Sequence, residues 1–397
     1  MKAIIEVREK TALLDKMVFG NVAILGFGDL DRLIKRGVVE QTSSKVKYIT
    51  AYGQEFSKLL IEKDGEIDRL VAGSKLIGNK RVDYCHLSVS IGNKETGNLL
   101  SYTRDEYLEK LQEIEDHLKS EYGIYVDFSD ITVKEIEINR TFKLEEDFSK
   151  YHRVLNLIMT NLPAYLKNQM DYKNVAKGST EYETYYATSK TTGKSKKYLL
   201  FKIYNKSKSV EKLILLTDSY MRVEFRLVGA EKVKKALKIN RFVDLTDTVI
   251  NDYFSSQVKK IIVKPFNAWK KDRDKYLVEL MKQQRVRDIR HWQTSVLRVL
   301  QNKEIDEKRA VLLDIEELIP LVNKLDLSSN RRCDVKLNFR RQAEKIETVF
   351  RNNDHKKMQE IIEKLTVTDT AKDTGKEKAA QNHTGMITSF DGISKSA

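Results

Sequence analysis

The sequence predicts an α+β protein: an antiparallel β-sheet core with packed helices, followed by an α-helical C-terminal domain. Three observations predict it. Between Gly20 and Leu227 several segments alternate side-chain character with the period of two that strands require. Asp64-Gly65 sits between two such segments, where a tight hairpin turn needs residues that tolerate positive φ. From Glu231 onward the apolar spacing becomes that of long amphipathic helices.

In chain order, 20–27 and 46–52 read as strands and 59–70 as a hairpin. Residues 84–91 follow as a strand with Cys85, Leu87, Val89 and Ile91 on one face and His86, Ser88 and Ser90 on the other. On that polar face His86 is a candidate to meet a metal or a phosphate. Thr103 and Glu106 fit a capping box, Tyr107, Leu111, Ile114 and Leu118 recur at helical spacing, and Gly123 stops the helix. In 131–142, Val133, Glu135, Glu137 and Asn139 share one strand face, with Ile136, Ile138 and Arg140 on the other. Residues 145–170 read as a helix bent at Pro163.

Residues 199–204 form a nearly apolar strand, expected to be central in its sheet. The next strand, 221–227, carries Arg222, Glu224 and Arg226 at alternate positions, so the three share a face. Helices are expected over 249–269, 276–300, 304–325 and 338–365, the first two rich in cations including Lys259, Lys260, Arg285, Arg287 and Arg290. Four segments result: a strand-rich region over 1–80, a central domain over 81–254, a basic helical domain over 255–365 and a disordered tail over 366–397.

Across 397 residues the formal net charge is +14, which points to a polyanionic partner, with nucleic acid ahead of an anionic membrane surface. Cys85 and Cys333 lie far apart, match no metal spacing and read as reduced thiols of a cytoplasmic protein. Charge interrupts the N-terminus too early for a signal peptide, and no apolar run is long enough to span a membrane, so no membrane partner is expected. Thr192-Gly193-Lys194-Ser195 lacks the earlier glycine of a phosphate-binding loop, for Thr188 stands there, and it reads as a basic turn between strands.

The stretch from Tyr182 to Leu227 gathers a tyrosine pair, Tyr185 and Tyr186, with Lys196, Lys197, Lys202 and Lys206. A phenol ionises near pH 10, so a tyrosine nucleophile needs neighbouring cations or a metal to favour its phenolate. Glu137 and Glu224, on separate strands, offer the oxygen ligands that Mg²⁺ or Mn²⁺ prefers. An aromatic pair is also an ordinary core or base-stacking element, and the residues alone leave that open.

The segments Thr184-Tyr185-Tyr186-Ala187-Thr188-Ser189, KKYLLFKIYNKSKSVE, MRVEFRL and VKEIEINRTF resemble the ordered motifs of rolling-circle replication initiators. Within that class they are most similar to the phage and plasmid gene II/X replication proteins, with related plasmid replication initiation factors behind them. The likeness runs from about Lys75 to Tyr253. It implies a nuclease core that nicks and rejoins one DNA strand at a replication origin through a 5′-phosphotyrosine. It further implies Tyr186 as nucleophile with Tyr185 as close rival, Lys206 stabilising phosphate charge, and Glu137 and Glu224 holding a divalent cation, with His86 as a third ligand. Lys196, Lys197, Lys202, Arg222, Arg226, Lys259, Lys260, Arg285, Arg287 and Arg290 are the expected DNA contacts. The expected partners are origin DNA, host helicase and polymerase, and a second copy in a dimer. Two departures stand out: Thr188 replaces the usual glycine, and Glu137 replaces the usual aspartate. The alternative is a non-catalytic, sequence-specific DNA-binding replication or regulatory protein.

Overall fold

A computed structural model describes residues 7–41, 46–90, 101–168, 184–190, 198–210, 218–283, 315–345 and 354–367. Its strands are β1 Leu13–Gly20, β2 Ala23–Phe27, β3 Val39–Glu40, β4 Tyr48–Ile49, β5 Glu55–Phe56, β6 Lys58–Asp64, β7 Ile67–Ile77, β8 Lys80–Ser90, β9 Ile124–Asp127, β10 Thr132–Lys143, β11 Leu166–Asn168, β12 Thr184–Ser189, β13 Leu199–Asn205 and β14 Tyr220–Val228. Ten of them form one sheet in the order β11-β12-β13-β14-β10-β1-β8-β7-β6-β3. Every neighbouring pair in it is antiparallel. The coarse class, mixed α and β around a large antiparallel sheet, is as the sequence predicts.

The hairpin between β6 and β7 closes with Asp64 opposite Ile67, and Gly65 takes φ +57° there. Helix α2, Arg104–Tyr122 (α1 is Leu30–Lys35), begins in the expected Thr103/Glu106 capping box. It ends where Gly123 adopts φ +63°. Ile136, Ile138 and Phe142 of β10 are buried, with Phe201 of β13 stacked on Phe225 of β14 at 5.3 Å. Over this apolar face lie α3, His152–Thr160, and α6, Asp247–Val258, whose Phe254 meets Phe225 edge-on. Toward the other end Phe19 of β1 packs on Tyr107 of α2.

Four differences from the sequence reading have physical causes. Strand β1 goes unrecognised because an extra residue between Leu14 and Met17, which pair with Ile138 and Ile136, breaks its period of two. The helix expected over 145–170 is only α3. Its end is closed by Asn161, whose Nδ2 donates to Leu157 O, and Pro163 bars the helical conformation before it, so Leu166 can enter the sheet as β11. A boundary at residue 80 does not divide the fold, because β1 lies between β8 and β10.

The fourth concerns 255–365. Ile261, Ile262, Phe266 and Trp269 belong to the sheet's core, as do Met358, Ile361 and Leu365 of the last helix, Asp354–Thr366. The second core is smaller and is built from Leu277, Met281, Leu318, Val322, Val335 and Phe339. Among the described residues no helix is long and apolar enough to cross a membrane.

Candidate active site on the polar face of the sheet

Register makes the site. Tyr186 lies opposite Lys202, Lys202 opposite Glu224, and Glu224 opposite Asn139, so one residue from each of β12, β13, β14 and β10 forms a row across four strands. The row on one side holds Thr188, Leu200, Arg226 and Glu137; the row on the other holds Thr184, Tyr204, Arg222 and Thr141. Because side chains alternate, all three rows project from the face opposite the apolar core. The sequence reading had the faces of Glu135, Glu137 and Asn139 on β10 and of Arg222, Glu224 and Arg226 on β14 right. It did not have that of Val133, which packs opposite Phe19 in the core because Lys134 is an extra residue there.

This face is polar yet mostly buried. Asn139 and Arg222 are fully buried, and Glu224 and Glu137 nearly so. Lys202 Nζ donates to Glu224 Oε1. Arg226 Nε donates to Glu135 Oε1 at 2.6 Å and lies 3.2 Å from Glu137 Oε1. Arg222 donates from Nε to Thr141 Oγ1 at 2.7 Å and from Nη1 to Asp15 Oδ2 at 3.0 Å. Four cations, Lys202, Lys206, Arg222 and Arg226, thus interleave with four carboxylates, Asp15, Glu135, Glu137 and Glu224.

Proton affinities reflect that crowding. Burial, and then the neighbouring Glu224, push the Glu137 carboxyl up to about 7. Burial works against the Lys202 charge, but Glu224 and Glu137 outweigh it and hold the ammonium above its ordinary range. Burial and Arg222 instead bring Lys206, at the start of the short helix α4, Lys206–Val210, down to about 7.

The two tyrosines part company. Tyr185 is fully buried, on the core side, with its Oη 2.7 Å from His152 Nδ1. Tyr186 is half-buried on the polar side, in register with Lys202. Alternation alone sends adjacent residues to opposite faces, so only Tyr186 shares a face with Glu137 and Glu224.

His86 does not join them. On β8 it faces Gly20 of β1, two strands from β10 and five residues along from Glu137, roughly 20 Å away at strand spacings. A cation bound at 2–2.6 Å from its ligands cannot be shared over that span. Arg222, expected to touch DNA, is fully buried and ties Asp15 and Thr141 into the cluster. Lys206 is likewise buried, so it acts on the cluster's charge rather than at its surface. Lys259 and Lys260 are exposed, but on the helical layer that covers the apolar face. Lys196, Lys197, Arg285, Arg287, Arg290 and the turn Thr192–Ser195 lie outside the described residues.

The sequence reading missed Asp15 and Tyr204. A lone carboxylate within the apolar run Leu13-Leu14-Asp15-Lys16-Met17 was the available signal for Asp15. Compared with known proteins, the sequence matches no family model and no curated protein.

Proposed function

We propose that this chain nicks and rejoins single DNA strands at a replication origin, with Tyr186 as nucleophile. The observation that carries this reading is the row Tyr186–Lys202–Glu224, with Glu137 beside it, on one face of the central sheet. The net charge of +14 agrees with a polyanionic substrate.

The Tyr186 hydroxyl gives up its proton and its oxygen attacks the scissile phosphorus in line. The bond from phosphorus to the 3′ oxygen breaks, that oxygen takes up a proton, and a 5′-phosphotyrosine remains with a free 3′-hydroxyl. Rejoining is the reverse attack by a 3′-hydroxyl. Lys202, kept charged by its carboxylates, stabilises the phenolate and the charge developing on phosphate. Lys206, Asp15 and Arg222 are positioning residues that fix the cluster from beneath.

A divalent cation fits the donor set in part. Two carboxylates on adjacent strands, one raised to about 7 by burial and by the other, are hard oxygen ligands, although Lys202 already pairs with Glu224 and Arg226 lies 3.2 Å from Glu137. Among the described residues no group of three or more His, Cys, Asp or Glu could hold a metal ion. Mg²⁺ is commonly held by one or two carboxylates together with substrate phosphate rather than by an all-protein cage. Glu137 and Glu224 would hold Mg²⁺ or Mn²⁺, which supplies Lewis-acid polarisation of the phosphate.

The interleaved ion pairs also support a second reading, a DNA-binding protein that uses this sheet without cleavage. Incubation with supercoiled origin plasmid and Mg²⁺ separates the two. Nicking with a covalent protein–DNA adduct, lost in Tyr186→Phe, is expected. Metal-independent binding with no adduct would favour the second reading.

A further inference from the structure

The polar face does not end at the tyrosine row. Toward β8 it continues through Glu135, Val18 and Ser88 to a cavity of about 400 Å³, whose walls include Tyr48, Lys75, Tyr84, His86 and Lys134. Two glycines make room for it. A Cβ at Gly20 would fall 2.0 Å from Lys134 Cε, so only glycine lets Lys134 cross β1 and bring Nζ to 2.8 Å from His86 Nδ1. A Cβ at Gly73 would lie 2.8 Å from Tyr84 Oη, so glycine there seats the Tyr84 ring. Lys75 Nζ stands 5.7 Å from the centre of that ring, and the His86 ring lies 6.0 Å from it at a 30° tilt.

The charges are uncompensated. Among the described residues none of the ion pairs reaches Lys75, His86 or Lys134, and Asp83, itself in the cavity wall, is taken by Arg81 and Ser74. Burial and then Lys134 lower the His86 pKa, while burial and Lys75 together lower that of Lys134. Three nitrogen groups gathered around a hollow are arranged for an anion, and the tyrosine beside them offers a stacking surface.

We propose that this cavity is a nucleotide subsite for a single DNA strand, with one phosphate held among Lys75, His86 and Lys134 and the adjoining base against Tyr84. This rests on the reading of the polar face as the DNA face, and places the subsite roughly 20 Å from Glu137, a few nucleotides along the strand. It gives His86 a phosphate rather than a metal to meet. Aromatic stacking and a basic groove are the two means by which single strands are held irrespective of sequence.

The test is fluorescence anisotropy of labelled oligothymidine in EDTA, where no cleavage occurs. Lys134→Gln and Tyr84→Ala are each expected to weaken binding about tenfold, the effect of losing one stacked base or one desolvated phosphate contact. Lys75→Gln, at an exposed strand position, is expected to weaken it severalfold and keeps the test open should Lys134→Gln not fold. Folded variants that bind oligothymidine as the wild type does would overturn the subsite. So would tight binding of thymidine 5′-monophosphate or inorganic phosphate with none of oligothymidine. Adduct formation at Tyr186 is scored separately on origin plasmid. Loss of affinity in the variants without any adduct keeps the subsite and removes the nicking reading; an adduct with unchanged affinity does the reverse.

Discussion

At the scale of single residues, the two adjacent tyrosines are where the structure says most. Tyr185→Phe removes the hydroxyl that meets His152 and should cost about 1 kcal/mol of stability, read by urea denaturation, while leaving adduct formation intact. Glu137 makes a pH-dependent prediction. Its carboxyl is raised from 4.5 to about 7, by burial first and Glu224 second, so between those values the folded protein holds a proton that the unfolded chain has released. The stability this contributes is complete below about 4.5 and is lost as pH rises through about 7. Glu137→Gln should therefore flatten the fall in denaturation midpoint across that window relative to the wild type. An unchanged slope would place the raised carboxyl elsewhere. A cation bound there competes with the same proton, so Mg²⁺-supported adduct yield should climb through about pH 7.

At the scale of elements, strands with clean alternation were legible and irregular ones were not. The faces of Glu137 on β10 and Glu224 on β14 follow from period two alone, while their meeting on one surface needs the strand order that sets β10 beside β14. The register that sets Tyr186 against Lys202 does not follow, because alternation leaves the pairing of two strands free to slide. Strand β1 was hidden by its bulge between Leu14 and Met17, and Asp15 with it. The last helix was legible as a helix, but its docking was not. Arg140 explains it: on the apolar face of β10, its Nη1 donates to the carbonyls of Leu365 at 3.0 Å and Val367 at 2.9 Å, and its guanidinium covers the Phe254 ring. A helix C-terminus attracts a cation, and here the sheet supplies it. Ile361→Ala should lower the stability of the sheet by about 2–5 kcal/mol. If urea denaturation followed by circular dichroism and tryptophan fluorescence leaves the midpoint unmoved, the helix does not belong to that core.

At the scale of the whole molecule, the positive charge divides between layers. The polar face of the sheet is close to neutral around Tyr186, where four cations meet four carboxylates, and it carries uncompensated charge near His86. Exposed Lys259 and Lys260 belong to the layer that covers the apolar face. Net charge in the sequence points to a polyanionic partner without pointing to a surface, because composition does not record which cations are already paired. Oligothymidine affinity should fall steeply with added salt, and Lys134→Gln should reduce the log–log slope by about 0.7, one phosphate contact on a single strand. A slope unaltered by that change, but reduced by Lys259→Gln and Lys260→Gln, would move the DNA to the helical layer.

The central claim is the chemistry of Tyr186, and mass mapping of a covalent adduct tests it most directly. Wild-type protein, incubated with supercoiled origin plasmid and Mg²⁺ and then digested, should yield a single DNA-linked peptide with the nucleotide on Tyr186. Tyr186→Phe should yield none. Linkage at Tyr185, or full adduct in Tyr186→Phe, would contradict the assignment.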